Sequence, residues 1–209
     1  MKLYDWKIAP NPRRVRIFLA EKGIEVPVEQ VGEADKPKLK PEFLARNSHR
    51  RVPLLELDDG TEIAEAMAIC RYFEALQPEP ALFGTNPLET ALIEMWERKI
   101  VMDGMAPISE AFRNKAPVFA GRALPGYRQE IPQIPEIAER SKIRVPAFYR
   151  DLDAQLADND YIAGNAYSVA DITGLCAIDV GMNARFPVDG YANIQRWHET
   201  VSARPSAKA

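Results

Sequence analysis

The spacing of apolar and polar residues changes about a third of the way along the chain. A Val-Pro pair precedes a short apolar run, Leu54 to Leu57, which predicts a strand. Asp58-Asp59-Gly60 follows, and its glycine suits the positive φ of a hairpin turn. After Ile63 the period changes from two residues to about 3.6. The new stripe comprises Ile69, Cys70, Phe73 and Leu76. The pattern therefore predicts a hairpin followed by a helix that begins at Glu65.

The segments before this hairpin alternate between strand and helix patterns. Asn11 and Pro12 suit the N-cap and first position of a helix, and Gly23 suits its end. The predicted elements are a strand at Lys2–Trp6, a helix from Pro12 to Lys22, a strand at Val26–Val31 and a weak helix within Lys36–Arg46, anchored by Phe43 and Leu44. With the hairpin and helix after them, they predict a thioredoxin-like domain whose mixed sheet is covered on both faces.

Helical patterns follow a linker that is rich in proline. Asn86 and Pro87 suit the cap and first position of a long helix with apolar residues on two sides. One stripe comprises Leu88, Ala91, Leu92, Met95, Met102 and Met105, and the other includes Trp96 and Ile100. Further along, Ser168 and Asp171 form a capping box. We therefore predict an α+β protein with a thioredoxin-like domain at 1–77, a linker at 78–87 and an all-helical domain at 88–209.

Composition narrows the functional classes. The 209 residues carry a net charge of −3, which argues against bulk binding to nucleic acid. No apolar run approaches the ~20 residues of a membrane span, and the N-terminus does not resemble a signal peptide, so we expect a cytoplasmic protein. His49 and His198 lack the spacing of metal ligands, so no metal is expected. Cys70 and Cys176 are predicted to be buried thiols.

The stretch from Arg51 to Phe73 resembles the glutathione-binding part of the glutathione transferases, and the resemblance extends over nearly the whole chain. In that family a cis proline leaves the backbone of the preceding residue free to pair with the cysteinyl part of glutathione. Val52 and Pro53 match this motif, so a cis bond is expected between them. An acidic residue followed by serine holds the γ-glutamyl end. Here Glu65 matches the acid, and Ala66 replaces the serine.

The resemblance implies a set of residues that bind glutathione. Arg51 corresponds to the residue that meets the glycyl carboxylate, which arginine can bind through two hydrogen bonds. The backbone N–H of Ala66 can still serve an anion at the helix start. Asp103, on the long helix, is expected to reach the γ-glutamyl amine across a dimer. For both Arg51 and Asp103 the alternative is a solvated surface role. The predicted set is Arg51, Val52, Pro53, Glu65, Ala66 and Asp103.

Activation of the glutathione thiol depends on the turn before the first helix. A free thiol has a pKa of about 8.5, and hydrogen-bond donors or a helix N-terminus favour its thiolate. Relatives with the motif Ser-Pro-Asn-Pro-Arg-Arg-Val carry a hydroxyl where this chain has Ala9. Asn11 is then the catalytic candidate and resembles the Thr-Pro-Asn turn of the nu class, although a helix cap would also explain it. Tyr4 is the fallback donor, or else a core aromatic.

The resemblance implies a homodimeric glutathione transferase that acts in detoxification. Glutathione would be the co-substrate, and its thiolate would attack a small hydrophobic electrophile. The alternatives are glutathione-dependent reduction of a disulfide or peroxide, and a ligand-binding protein without activity. The predicted co-substrate pocket comprises Trp6, Ile8, Met102, Met105 and Phe112, with Phe119 as a further candidate, although such residues are often core. The dimer interface is expected on the long helix and on the helix face that carries Met67 and Arg71.

Overall fold

A four-stranded mixed sheet forms the centre of the N-terminal half, in the order β2-β1-β3-β4. The structure is a computed structural model and describes residues 1–33 and 38–209. β1 (Lys2–Asp5) runs parallel to β2 (Val28–Gln30) and antiparallel to β3 (Leu54–Glu56), and β3 is antiparallel to β4 (Glu62–Ala64). This arrangement confirms the predicted thioredoxin-like sheet, with slightly shorter strands.

Helices cover both faces of the sheet. α1 (Pro10–Lys22) and α3 (Ala66–Leu76) pack on the face where Leu3 and Leu55 join the main core. α2 (Pro41–Arg46) contributes Phe43 to a smaller cluster on the opposite face. The other buried members of that cluster are Tyr4, Val31 and Leu54. The predicted weak helix is therefore present, and the part of the prediction at residues 36–37 lies outside the described residues.

The start of α1 differs from the prediction. Ala9 is the N-cap, its side chain makes no capping bond, and Asn11 lies in the first turn of the helix. The cause is Pro10, because the residue before a proline is driven out of the helical region while proline itself fits the first helical position. Ala9 accordingly has φ −86° and ψ 136°. The predicted end at Gly23 is confirmed, with φ 64°.

The helical half begins after the linker. Its α-helices are α4 (Pro87–Lys99), α5 (Ala106–Arg113), α6 (Pro135–Ala157), α7 (Val169–Asn183) and α8 (Ala192–Ser202), with a π-helix at Ile100–Met105 and 3-10 turns at Pro117–Phe119 and Pro205–Lys208. The Asn86 side chain caps α4, and Ser168 and Asp171 form the predicted capping box of α7. In the described ranges no helix has the length and apolar content needed to cross a bilayer.

The two apolar stripes of the long helix have different surroundings. Trp96 and Ile100 are buried in the core together with Ile93. Most of the other stripe lies on the surface, with exposed side chains at Leu88, Ala91, Met95 and Met102. The last predicted apolar residue of α3, Leu76, is also exposed, whereas Ile69, Cys70 and Phe73 are buried as predicted.

A buried lysine fastens the linker to the end of α1. The Lys22 side chain is 0% exposed, and its Nζ lies 2.5 Å from Glu74 Oε2. The same Nζ donates to the backbone carbonyls of Gln77, Pro78 and Pro80. Removing an ammonium from water costs several kcal/mol, and these four oxygens offset that cost. The path of the chain between its halves is therefore tied to the last turn of α1.

We predict that Lys22→Met lowers the free energy of unfolding by roughly 3–5 kcal/mol, the usual effect of removing one partner of a buried ion pair. The substitution keeps an apolar stem of similar length but removes the cation beside Glu74 Oε2 and the donor to the linker carbonyls. Glu74 Oε1 keeps its hydrogen bonds from the N–H groups of Leu82 and Phe83. Chemical denaturation measures the loss. Lys115→Met is the control, because Lys115 is exposed and its replacement should change stability by less than about 0.5 kcal/mol. Equal denaturation midpoints for the two variants would show that Lys22 does not hold the linker.

Candidate functional site

A polar pocket of about 230 Å³ lies where the N-termini of α1 and α3 meet the segment before β3. It is lined by Asn11, His49, Arg51, Val52, Pro53, Ala64, Glu65 and Ala66 from the N-terminal half, and by Pro125, Gly126 and Tyr127 from the helical half. The pocket brings together Asn11 and the predicted glutathione-binding residues except Asp103. His49, Ala64 and the three residues of the helical half were not predicted.

The segment before β3 presents unpaired backbone to the pocket. The Val52–Pro53 bond is cis, as predicted. Pro53 is buried, and β3 begins directly after it, at Leu54. Within the described part of the chain, the N–H and C=O of Val52 make no hydrogen bond. Because exposed backbone groups of this kind form a template for another strand, Val52 can pair with a peptide-like ligand.

Glu65 occupies the N-cap of α3 in an unusual conformation. Its φ is 71°, in the left-handed region that residues other than glycine rarely adopt. The side chain is 73% exposed, so it is free to meet a ligand, and one carboxylate oxygen lies 3.8 Å from Arg51 Nη1. Ala66 is the first residue of α3 and is buried. The N–H groups at a helix start lack intrahelical partners, and together with the helix dipole they favour an anion there.

Arg51 connects the two halves of the pocket. Its Nη2 donates to the Pro125 carbonyl at 3.1 Å, and its Nη1 faces Glu65. The backbone of Arg51 is held from the other side by Asn47, a buried residue whose Nδ2 donates to the Arg51 carbonyl at 2.9 Å. Half of the Arg51 side chain stays exposed. A cation that is fixed in place but still partly solvated is suited to binding a carboxylate of a ligand.

Asn11 is exposed at the pocket, and a buried arginine orients it. Arg14 Nη1 lies 3.2 Å from Asn11 Oδ1. Because a guanidinium can only donate, the side of the Asn11 amide that faces Arg14 must be its oxygen. The Nδ2 group is therefore left to donate elsewhere, and it has no partner within the described residues. This arrangement supplies a hydrogen-bond donor at the N-terminus of α1.

Arg14 is itself held by a buried network. Its Nε donates to Thr173 Oγ1 at 3.1 Å and its Nη2 to Glu97 Oε1 at 2.5 Å. Arg14 and Glu97 are each 6% exposed. Burial raises the pKa of Glu97, and the charge of Arg14 opposes that shift. The network therefore joins α1, α4 and α7 directly behind Asn11.

The predicted co-substrate residues do not line this pocket. Trp6 packs against Gly32, where an added Cβ would lie 2.0 Å from its ring, and Phe112 stacks edge-on with Phe119 at 5.4 Å between ring centres. Ile8 and Met102 are exposed, and Met105 packs against the main core. Their contribution to a second pocket stays a prediction.

Two further candidates, Asp103 and Tyr4, also lie outside the pocket. Asp103 is in the π-helix, 3.7 Å from Arg144 of the same chain, and its approach to the γ-glutamyl amine stays a prediction. Tyr4 is buried, and its hydroxyl donates to Glu56 Oε2 at 2.7 Å, which favours the core role over the fallback donor. Cys70 and Cys176 are buried free thiols, as predicted, and burial raises both of their pKa values.

Comparison with known proteins gives consistent matches over the whole chain. Two family models match, described as "Glutathione S-transferase, N-terminal domain" at residues 3–81 and "Glutathione S-transferase, C-terminal domain" at residues 100–205. Glutathione S-transferase 2 of Saccharomyces cerevisiae is 35% identical over 100% of this chain and 88% of that protein. The crystal structure of Gtt2 from the same yeast has a TM-score of 0.88 at 33% identity, covering 100% of this chain and 99% of that one. The crystal structure of a Gtt2-class glutathione S-transferase of Vibrio parahaemolyticus has a TM-score of 0.83 at 38% identity. The match covers 100% of this chain and 96% of that one.

We predict that Arg14→Met destabilises the protein by roughly 3–5 kcal/mol, because Glu97 would remain buried without its partner. The double variant Arg14→Met/Glu97→Met removes both charges and should lose less than the single variant. Urea denaturation of the two variants and the parent protein measures the difference. If the double variant is no more stable than Arg14→Met, the unpaired charge of Glu97 does not explain the loss of stability in the single variant.

Proposed function

Because the chain belongs to the glutathione S-transferase family, we propose that it conjugates glutathione to small hydrophobic electrophiles. The observation that carries the proposal is a single pocket with an unpaired backbone at Val52, a helix N-terminus at Glu65–Ala66 and a cation at Arg51. Glutathione is a γ-linked tripeptide with one amine, two carboxylates and a thiol. Each of these groups has a complementary partner in the pocket.

In the proposed complex the cysteinyl backbone of glutathione pairs with Val52. The γ-glutamyl amine meets the exposed Glu65 carboxylate, and the adjacent carboxylate meets the backbone N–H groups at the start of α3. The glycyl carboxylate binds Arg51, which already faces the pocket. A hydroxyl at residue 66 is not needed for this scheme, since the backbone donors at Ala66 serve the same anion.

The thiol would then lie toward the N-terminus of α1. Two features there lower the pKa of a bound thiol, namely the positive end of the helix dipole and the Nδ2 group of Asn11. Ala9 contributes no hydroxyl, so the amide of Asn11 is the side-chain donor in this turn. The relatives described above are named transferases, which favours conjugation over the reductase alternative.

The proposal is tested by binding and turnover. Calorimetric titration should show that the purified protein binds glutathione, and it should conjugate glutathione to a generic aromatic electrophile faster than it reduces a disulfide or a peroxide. Absence of glutathione binding would overturn the proposal. Faster reduction than conjugation would replace it with the reductase alternative.

We propose in addition that the enzyme is a cytoplasmic homodimer with a role in detoxification. Support for a dimer comes from the exposed apolar stripe of α4, which includes Leu88 and Met95. A groove beside this stripe is lined by Arg71, Gly84, Thr85, Asn86, Pro87, Thr90, Ala91 and Glu94. Arg71 on α3 and Glu94 on α4 form an ion pair at this surface, so both helices predicted for the interface contribute to it.

We predict that Asn11→Asp lowers kcat/KM by roughly ten- to a hundredfold. This range corresponds to the loss of one hydrogen bond to a charged group in the transition state. Asp keeps the oxygen that Arg14 binds but replaces the donor by a negative charge beside the thiolate. The apparent pKa of the bound thiol, followed by thiolate absorbance, should rise.

Asn11→Ala is the matched variant, since it removes the donor without adding charge and should show a smaller rise in the thiol pKa. Ala9→Ser adds a hydroxyl in the same turn and should raise turnover. Full activity and an unchanged thiol pKa in Asn11→Asp would exclude Asn11 as the donor to the sulfur.

We predict that Met95→Glu produces a monomer at micromolar concentration, because it places a charge in the centre of the exposed stripe of α4. Sedimentation velocity of the parent protein should give a dimer. Ile143→Glu is the control, since Ile143 on α6 is also exposed but lies outside the proposed interface. A parent protein that sediments as a monomer would refute this interface.

A further inference from the structure

A loop of the helical half reaches across to the glutathione-binding half. The loop follows α5, and two backbone hydrogen bonds join its ends. Ala123 N–H donates to the Ile131 carbonyl at 3.0 Å, and Ile131 N–H donates to the Gly121 carbonyl at 2.8 Å. We call Gly121–Ala123 together with Ile131 the neck of the loop. We call residues Pro125–Tyr127, beyond this neck, the tip. All three residues of the tip line the candidate pocket.

The neck of the loop is braced from α5. Arg113, the last residue of α5, donates from Nε to the Ala123 carbonyl at 2.8 Å and from Nη2 to the Arg122 carbonyl at 2.6 Å. Its guanidinium carbon also lies 4.2 Å from the centre of the Phe119 ring. Burial lowers the pKa of Arg113 to about 10, so it remains charged at neutral pH. These contacts attach the loop to α5 in the absence of a ligand.

The backbone of the tip lies close to the guanidinium of Arg51. The Pro125 carbonyl accepts from Arg51 Nη2 at 3.1 Å, and a Cβ on Gly126 would lie 2.5 Å from Arg51 Nε. The φ of Gly126 is +89°, which also favours glycine. The guanidinium therefore lies against the backbone of the tip. Because its five N–H groups are fixed in one plane, the hydrogen bond from Nη2 and the nearby backbone of Gly126 together limit the direction of Nη1.

We propose that the tip is a third wall of the glutathione pocket and that Gly126 is a positioning residue, which holds Arg51 ready for the glycyl carboxylate. The inference rests on the proposed function, because it concerns the same pocket. Ordering a long side chain on binding has an entropic cost, and an arginine already held by the tip avoids that cost. The tip thus contributes to glutathione affinity from the helical half of the chain.

The test compares Gly126→Ala with Gly121→Ala. Both glycines have positive φ, so both variants carry similar backbone strain, but a Cβ on Gly121 would meet only Glu130, at an ordinary 3.5 Å. Gly126→Ala should raise the Kd for glutathione roughly three- to tenfold, the range expected for one side chain that is no longer pre-ordered. Gly121→Ala should leave the Kd within about twofold of the parent value. Gly121→Ala should leave turnover at saturating glutathione unchanged, whereas in Gly126→Ala the loss should appear mainly as a higher KM for glutathione.

A double-mutant cycle shows whether the effect passes through Arg51. On an Arg51→Gln background, Gly126→Ala should cause no further rise in Kd, because the guanidinium that it displaces is absent. Equal effects on the two backgrounds would overturn the positioning role. So would a Gly126→Ala variant that binds glutathione like the parent, or equal losses in the two glycine variants.

Hydrogen exchange on the parent protein gives a reading that does not depend on any variant folding. Glutathione should slow amide exchange at Gly126 and Tyr127, and unchanged exchange there would overturn the proposal. If the parent protein does not bind glutathione, the proposed function fails and this inference fails with it. If the parent protein binds glutathione and the tip shows neither effect, only the inference is lost.

Discussion

The arrangement of this molecule depends on the buried charge of Arg14. Its guanidinium lies within the contact region of three helices and donates to Thr173, Glu97 and Asn11. A charge this deep is tolerated only when each of its donors meets an oxygen at the correct distance. The requirement fixes α1 against α4 and α7 more strictly than apolar packing does, since apolar contacts are not directional. The guanidinium of Arg14 also orients the side-chain amide of Asn11, which is exposed at the pocket.

Other charged contacts join the two halves away from Arg14. Lys22 holds the linker, and Arg204 near the C-terminus pairs with Glu21 on α1. Arg13 donates to Asp179 on α7, which also contacts His198 on α8. Burial alone would raise the pKa of Asp179, but the hydrogen bonds from His198 and Arg13 hold it below its usual range. The helix that begins at the pocket is thus joined to the helical half by ion pairs at Arg13, Arg14 and Glu21.

The pocket proposed for glutathione presents backbone groups and an amide where the family motifs have hydroxyl groups. Alanines stand at residues 9 and 66, where the family motifs carry hydroxyl side chains. In their place the structure offers the N-termini of α1 and α3, the unpaired backbone of Val52 and the amide of Asn11. The backbone N–H groups at the start of α3 favour a carboxylate. At the start of α1, Pro10 and Pro12 have no N–H, so Asn11 supplies the donors for a thiolate together with the helix dipole. The loss of two hydroxyls is therefore compatible with the transferase activity that family membership implies.

The sequence by itself determined the features that depend on neighbours along the chain. The hairpin before α3, the Asn86 cap and the Ser168–Asp171 capping box were predicted from local motifs, and the structure contains them. The cis bond at Pro53 was expected from the family resemblance and is also present. The cap of α1 was the exception, since two prolines competed and the tighter constraint of Pro10 prevailed. The tertiary structure alone decided which distant residues meet. Arg51 and Pro125 are 74 positions apart, and Arg14 and Glu97 are 83 apart. The residues beside each partner in the sequence do not predict either contact. A hydrogen bond between distant residues depends on how whole helices pack together.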